Sequence, residues 1–97
     1  MMSERIPKPR RQAYLVEHYR PGLAAAGLNR AVARVRKAVH ELELEGQPVR
    51  FRHSTIVASD ESFLCVVEAQ SEDLVRLAYA RAGVPFERIS AALTEQQ

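Results

Sequence analysis

Three imidazoles, one thiol and a scatter of carboxylates are the groups of this 97-residue chain best placed to do chemistry. Imidazole and carboxylate groups that converge on a point hold divalent transition metals, and the same pair can exchange protons. His18 follows Glu17 directly, His53 opens a stretch that ends at Glu68, His40 precedes Glu41, and Cys65 lies between Leu64 and Val66. No two histidines fall within four residues of each other and there is no Cys-x-x-Cys, so no local ligand motif exists. Any site must be assembled by the fold from distant parts of the chain.

Which groups can meet depends on the elements that carry them. Thr55 to Glu68 reads as a hairpin, two β-prone runs around the polar turn Ser59-Asp-Glu-Ser62. A turn symmetric about Asp60 and Glu61 places His53 opposite Glu68 on one face, whereas an odd-length turn separates them. The pair is then either half of a metal or acid/base site or an exposed ion pair at a strand end. His18, near the end of a first strand over Ala13 to Tyr19, is either a ligand at the sheet rim or a structural histidine there. The candidate metal ligands are therefore His18, His53, Glu17 and Glu68. His40 lies one step off the apolar stripe of a helix and reads as solvated. Cys65, in the middle of an apolar run, reads as a small buried hydrophobe, since a reactive thiolate needs a partly exposed, electropositive setting.

The remaining elements follow from periodicity and punctuation. Leu28, Val32, Val35, Val39 and Leu42 recur at spacings of four and three, with Arg30, Arg34, Lys37 and Glu41 opposite, which makes an amphipathic helix ending at Gly46 and Pro48. Gly27 favours a start near Asn29 over one at Ala24, because glycine costs about 1 kcal/mol inside a helix. Strand two spans Val49 to Ala58 and strand three Phe63 to Ala69. Ser71 caps a second helix with Glu72 and Asp73 in its first turn and an expected buried stripe of Leu74, Leu77, Ala78 and Ala82, stopped by Gly83 and Pro85. Phe86 to Leu93 reads as a last strand. The order βαββαβ is that of an α+β, ferredoxin-like domain, an antiparallel four-stranded sheet with two helices on one face.

Strand three carries a further implication. Phe63 to Val67 is apolar on both faces, and two helices can cover only one of them. The other face calls for a second subunit, so a homodimer through the sheet faces is expected.

Composition narrows the partners. With 46% hydrophobic residues the chain suits one domain, here 13–93, between a basic arm at 1–12 and a short tail at 94–97. Arg5, Lys8, Arg10 and Arg11 against Glu4 give that arm a charge of +3, more than the +2 of the whole chain, and leave a near-neutral body. The arm, with Pro7 and Pro9 and no periodicity, reads as a flexible solubilising extension. The basic-glycine-aromatic signature of an RNA-recognition strand is missing, so nucleic acid is not an expected partner. No apolar run approaches the ~20 residues of a membrane span. A single cysteine and no leader-like segment make the cytoplasm the expected location.

The blocks Tyr14-Leu-Val-Glu-His-Tyr-Arg-Pro-Gly22, Ser54-Thr-Ile-Val-Ala-Ser-Asp-Glu61, Phe63-Leu-Cys65, Glu68-Ala69 and Ala80-Arg-Ala-Gly-Val-Pro-Phe-Glu-Arg-Ile89 together resemble a family of small bacterial nickel-binding proteins, formerly a domain of unknown function. The resemblance spans about Tyr14 to Ile89. It implies a dimeric α+β barrel of ferredoxin-like subunits and a ligand that is nickel or another divalent transition metal. The start of the first helix departs from the family, with Ala24-Ala-Ala-Gly27 where relatives show a Thr-Pro-Glu-Asp type cap. The expected function is non-catalytic metal binding in sequestration or homeostasis. The alternative is a small dimeric α+β barrel enzyme, monooxygenase-like or isomerase-like, using an apolar pocket inside the barrel. That reading rests on fold analogy.

Overall fold

A computed structural model describes residues 11–92. Six elements follow in the order β1 (Gln12–Tyr19), α1 (Ala25–Leu44), β2 (Val49–Val57), β3 (Ser62–Ala69), α2 (Glu72–Ala82) and β4 (Arg88–Ala92). The strands form one antiparallel sheet in the order β2-β3-β1-β4. This is the ferredoxin-like arrangement, in which each βαβ half places its strands apart and the two halves interleave. The expected arm and tail lie almost wholly outside the described residues. None of the described helices is long and apolar enough to cross a membrane.

The side chains of β1 and β3 alternate strictly. Tyr14, Val16 and His18 of β1 and Phe63, Cys65, Val67 and Ala69 of β3 are buried against the helices, and the residues between them face the other way. Leu28, Val32, Val35, Val39 and Leu42 close over this sheet face from α1, as their spacing requires. The stripe of α2 differs from expectation. Val75 and Tyr79 are buried with Leu74, Ala78 and Ala82, whereas Leu77 is 46% exposed. The helix is rotated so that Tyr79 reaches between the sheet and Phe86, whose ring meets it edge-on at 5.3 Å.

Helix α1 also starts earlier than the glycine implied. Leu28 N–H donates to Ala24 C=O at 3.0 Å, so Gly27 lies in the first turn, and no side chain caps it. A Cβ on Gly27 would stand 3.1 Å from Leu23 Cδ2. Glycine here allows Leu23 to fold against the helix start, and that packing outweighs the propensity cost. The other helix boundaries follow the sequence signals. Gly46 and Gly83 adopt left-handed conformations at φ 91° and 69°, and Ser71 Oγ accepts from Leu74 N–H at 3.3 Å. Replacing Ser71 by alanine leaves that donor unmatched. The expected loss is about 1 kcal/mol in urea unfolding, with an unchanged dependence on denaturant.

Strand β4 begins at Arg88 rather than Phe86, because Phe86 turns in to cover Tyr79 before pairing with β1 begins. The β2–β3 connection is a 3₁₀ turn over Ala58–Asp60 closed by Glu61 in a left-handed conformation at φ 53°. Glu61 also ties this turn to the loop after β1, its C=O accepting from Arg20 N–H at 2.8 Å and its Oε2 from Gly22 N–H at 3.1 Å.

Candidate functional site

The chemistry-bearing side chains divide between the two faces of the sheet. Adjacent strand residues point to opposite sides, so the His18 and Glu17 side chains diverge, although both border a small hollow of about 210 Å³ at the strand end with Glu87. His18 faces the helices and is 2% exposed. Its Nδ1 is 3.0 Å from Phe63 C=O, which can only accept, so Nδ1 carries the proton and Nε2 holds a lone pair. The ring stacks on Phe63 at 3.8 Å and on Tyr79 at 5.2 Å. Nε2 has no hydrogen-bond partner, and neither does the buried Tyr79 hydroxyl. Burial disfavours the imidazolium and moves the His18 pKa down to about 4. The Phe63 carbonyl opposes this and the Arg20 charge adds to it.

Cys65 is fully buried on the same face, and burial pushes its thiol up to about 11. It sits there as a protonated, unreactive small side chain. The Tyr79 hydroxyl is likewise held well above its ordinary value by burial and stays neutral. This buried set of imidazole, thiol and phenol has no carboxylate to complete a ligand shell.

On the uncovered face stand Glu17, His53 and Glu68. Glu17 lies opposite Arg88 and accepts from its Nε at 3.0 Å. Glu68 accepts from Arg52 Nη1, also at 3.0 Å. The pairing of His53 with Glu68 that a symmetric turn demands does not occur. His53 lies opposite Val66 and Arg50 opposite Glu68, because the turn is shifted and Arg52 is an extra residue between Phe51 and His53. The turn, centred on Ser59 and Asp60 rather than on Asp60 and Glu61, leaves His53 one diagonal step from Glu68 on the same face. Between these polar groups lie Leu15, Leu64 and Val66, half-buried with no helix over them.

No three histidine, cysteine, aspartate or glutamate side chains converge among the described residues of one chain. The described residues of a single subunit thus offer partial ligand sets, and His40 is exposed on α1. Tyr79 escaped sequence reasoning, although the i, i+4 spacing of Val75 and Tyr79 marks a second way to seat α2.

Fold and site together define a ferredoxin-like α+β domain with one sheet face left open and edged by an imidazole and carboxylates. The sequence pattern of the family described as nickel responsive protein SCO4226-like matches residues 14–91, and the chain belongs to that family. Among solved structures it is similar to SCO4226 from Streptomyces coelicolor A3(2), with 20% identity over 87% of this chain and 99% of that one and a TM-score of 0.65. At that identity the likeness speaks for the fold. No curated protein matches the chain.

Proposed function

We propose that this protein is a non-catalytic binder of nickel or a similar divalent transition metal, acting in sequestration or homeostasis, and that it works as a homodimer joined through its open sheet faces. Membership of a family described as nickel responsive carries the metal reading. The sheet supports the assembly, since Leu15, Leu64 and Val66 form an apolar strip that neither helix covers. The two proposals reinforce each other. The described residues of one subunit bring no three ligands together, whereas two copies facing each other double the number of imidazoles and carboxylates at the edges of the joined sheets.

His53 and Glu68 are the favoured ligands, with Glu17 at the opposite edge of the same face. His18 has the right tautomer for a ligand, since a backbone carbonyl on Nδ1 leaves Nε2 free to donate its lone pair. Its Nε2 is sealed among aromatic rings, so it joins a site only if the strand end opens.

Dialysis of the full chain against nickel, followed by elemental analysis, is expected to leave at least one tightly held ion per two subunits. Calorimetric titration should then rank the imidazoles. His53→Ala is expected to weaken binding at least about tenfold, the usual effect of removing a coordinating imidazole or its support, and His40→Ala to leave it unchanged. Retention of no metal overturns the function. Loss of binding on His40→Ala alone moves the site to the helical surface.

A further inference from the structure

A pronounced concavity lies at the edge of the sheet, away from the His18 cluster. It is a groove of about 570 Å³ between α1 and the edge strand β2, within the range of small-molecule sites. Four permanent cations line it, Arg36 and Lys37 from the helix and Arg50 and Arg52 from the strand, against one carboxylate, Glu43. His40 borders it as well. Phe51 and Val39 supply apolar lining, and the Arg36 guanidinium lies over the Phe51 ring, 5.0 Å from its centroid. This stacking fixes the direction of an otherwise mobile fork.

Helix and strand geometry explains why these residues meet. Arg36 is ten residues before Gly46 and Phe51 five after it. A helix rises about 15 Å in ten residues and a strand about 16 Å in five, so the two sit at one level after the chain reverses. The bulge at Arg52 then adds a second arginine to the same stretch of edge.

The cations are only partly neutralised by the protein. Lys37 pairs with Glu41 at 3.3 Å and Arg52 with Glu68 at 3.0 Å, both in exposed positions where such pairs contribute little. Arg36 and Arg50 have no carboxylate in ion-pair range among the described residues. Guanidinium forks bind phosphate oxygens in the bidentate way they bind carboxylates, and several forks around one hollow favour a compact ligand with more than one negative charge. The basic surface does not continue as a track. Glu43 closes the groove along α1 with Glu45 just past the helix end, and Arg34 is directed at Gly83 C=O at 3.3 Å. A long nucleic-acid strand would meet carboxylates on leaving the hollow, whereas a small anion fits within it.

We propose that the α1–β2 groove is a binding site for a small, multiply charged phosphate ligand, held by Arg36, Arg50 and Arg52 with Lys37 at the rim. The proposal does not need the metal reading, although Arg50 and Arg52 adjoin Glu68 of the open face, and binding is therefore tested without metal.

The test uses the full chain in metal-free buffer at about 50 mM salt, titrated calorimetrically with inorganic tripolyphosphate, ATP, citrate and a 12-nucleotide single-stranded DNA. Tripolyphosphate or ATP is expected to bind saturably with a Kd on the order of 0.1 mM or tighter. Equal affinity for the two assigns recognition to the phosphates, and tighter ATP binding extends it to the nucleoside, either result supporting the site. Arg36→Gln and Arg50→Gln should each weaken binding about tenfold with unchanged melting temperatures. Arg30→Gln, which removes the same charge from the exposed side of α1 outside the groove, should change it less than about twofold. Absence of saturable binding overturns the proposal. So does equal weakening by Arg30→Gln, which would reduce the effect to net charge. Citrate binding as tight as tripolyphosphate removes the phosphate preference, and DNA binding tighter than both replaces the small ligand with a polymer.

Discussion

Acidification from pH 7 to pH 4 is expected to cost this domain about 3 kcal/mol through His18 alone. The imidazole is neutral in the fold and its pKa lies at about 4, against 6.5 for the unperturbed group. The unfolded chain therefore takes up a proton at pH values where the folded chain refuses it. A depressed native pKa means that the contribution is fully present above about 6.5 and is lost progressively as pH falls toward 4. At 1.36 kcal/mol per pKa unit the loss is about 2 kcal/mol by pH 5 and about 3 by pH 4. The physical source is the sealed ring. Phe63 and Tyr79 stack on it, Nε2 has no acceptor for a second proton, and Arg20 adds repulsion.

Carboxylates elsewhere also titrate in this window, so the comparison that isolates His18 is with His18→Phe, which keeps an aromatic ring in the stack and cannot charge. Urea unfolding of both proteins between pH 7 and pH 4 should show the stability difference drifting by about 3 kcal/mol in favour of the variant as pH falls. NMR titration of the imidazole gives a direct reading. A native His18 that titrates near 6.5, or a stability difference that does not change with pH, overturns the account.

The architecture was legible because its boundaries are marked by residues with one conformational purpose. Gly46 with Pro48 and Gly83 with Pro85 stop the two helices, Ser71 starts the second, and the apolar period switches from mixed three and four to two between them. The site was less legible, for reasons that concern register. The centre of a four-residue turn leaves no compositional trace, so the shift from Asp60 and Glu61 to Ser59 and Asp60 that moves His53 from Glu68 to Val66 is invisible until the strands are paired. The surroundings of His18 were hidden differently. Strand alternation separates it from Glu17, but only the rotation of α2 that buries Tyr79 and exposes Leu77 decides what packs on the imidazole. Both seatings of that helix offer an apolar stripe, and the choice rests on how Tyr79 and Phe86 fill the space above β1 and β3. The basic groove needs tertiary structure in the same way. Its arginines come from two elements, and on the helix alone they look like an ordinary solvated face.

A charge at Val66 is expected to convert the proposed dimer to monomers. Val66 is in the middle of β3, flanked across the sheet by Leu15 and His53, and its side chain lies on the face that no helix covers. In a dimer joined through these faces it would be at the centre, away from the Glu17–Arg88 and Arg52–Glu68 pairs at the edges. Val66→Asp would then bury a carboxylate in each subunit close to its symmetry mate, with Leu15 and Leu64 for neighbours. Desolvation and like-charge repulsion together cost several kcal/mol. At 1.4 kcal/mol per factor of ten, a penalty of about 3 kcal/mol already raises the dissociation constant more than a hundredfold.

The isolated subunit tolerates the same change, because its helix-facing core of Phe63, Cys65 and Val67 is untouched. Sedimentation equilibrium at micromolar concentration should therefore give twice the chain mass for the wild type and the chain mass for the variant, with circular dichroism unchanged. Leu77→Asp is the matched control, since Leu77 is an exposed apolar residue on the outer side of α2. A wild-type monomer overturns the assembly outright. Dissociation by Leu77→Asp with Val66→Asp still dimeric would place the interface on the helices, and the open sheet face would then need a different cover.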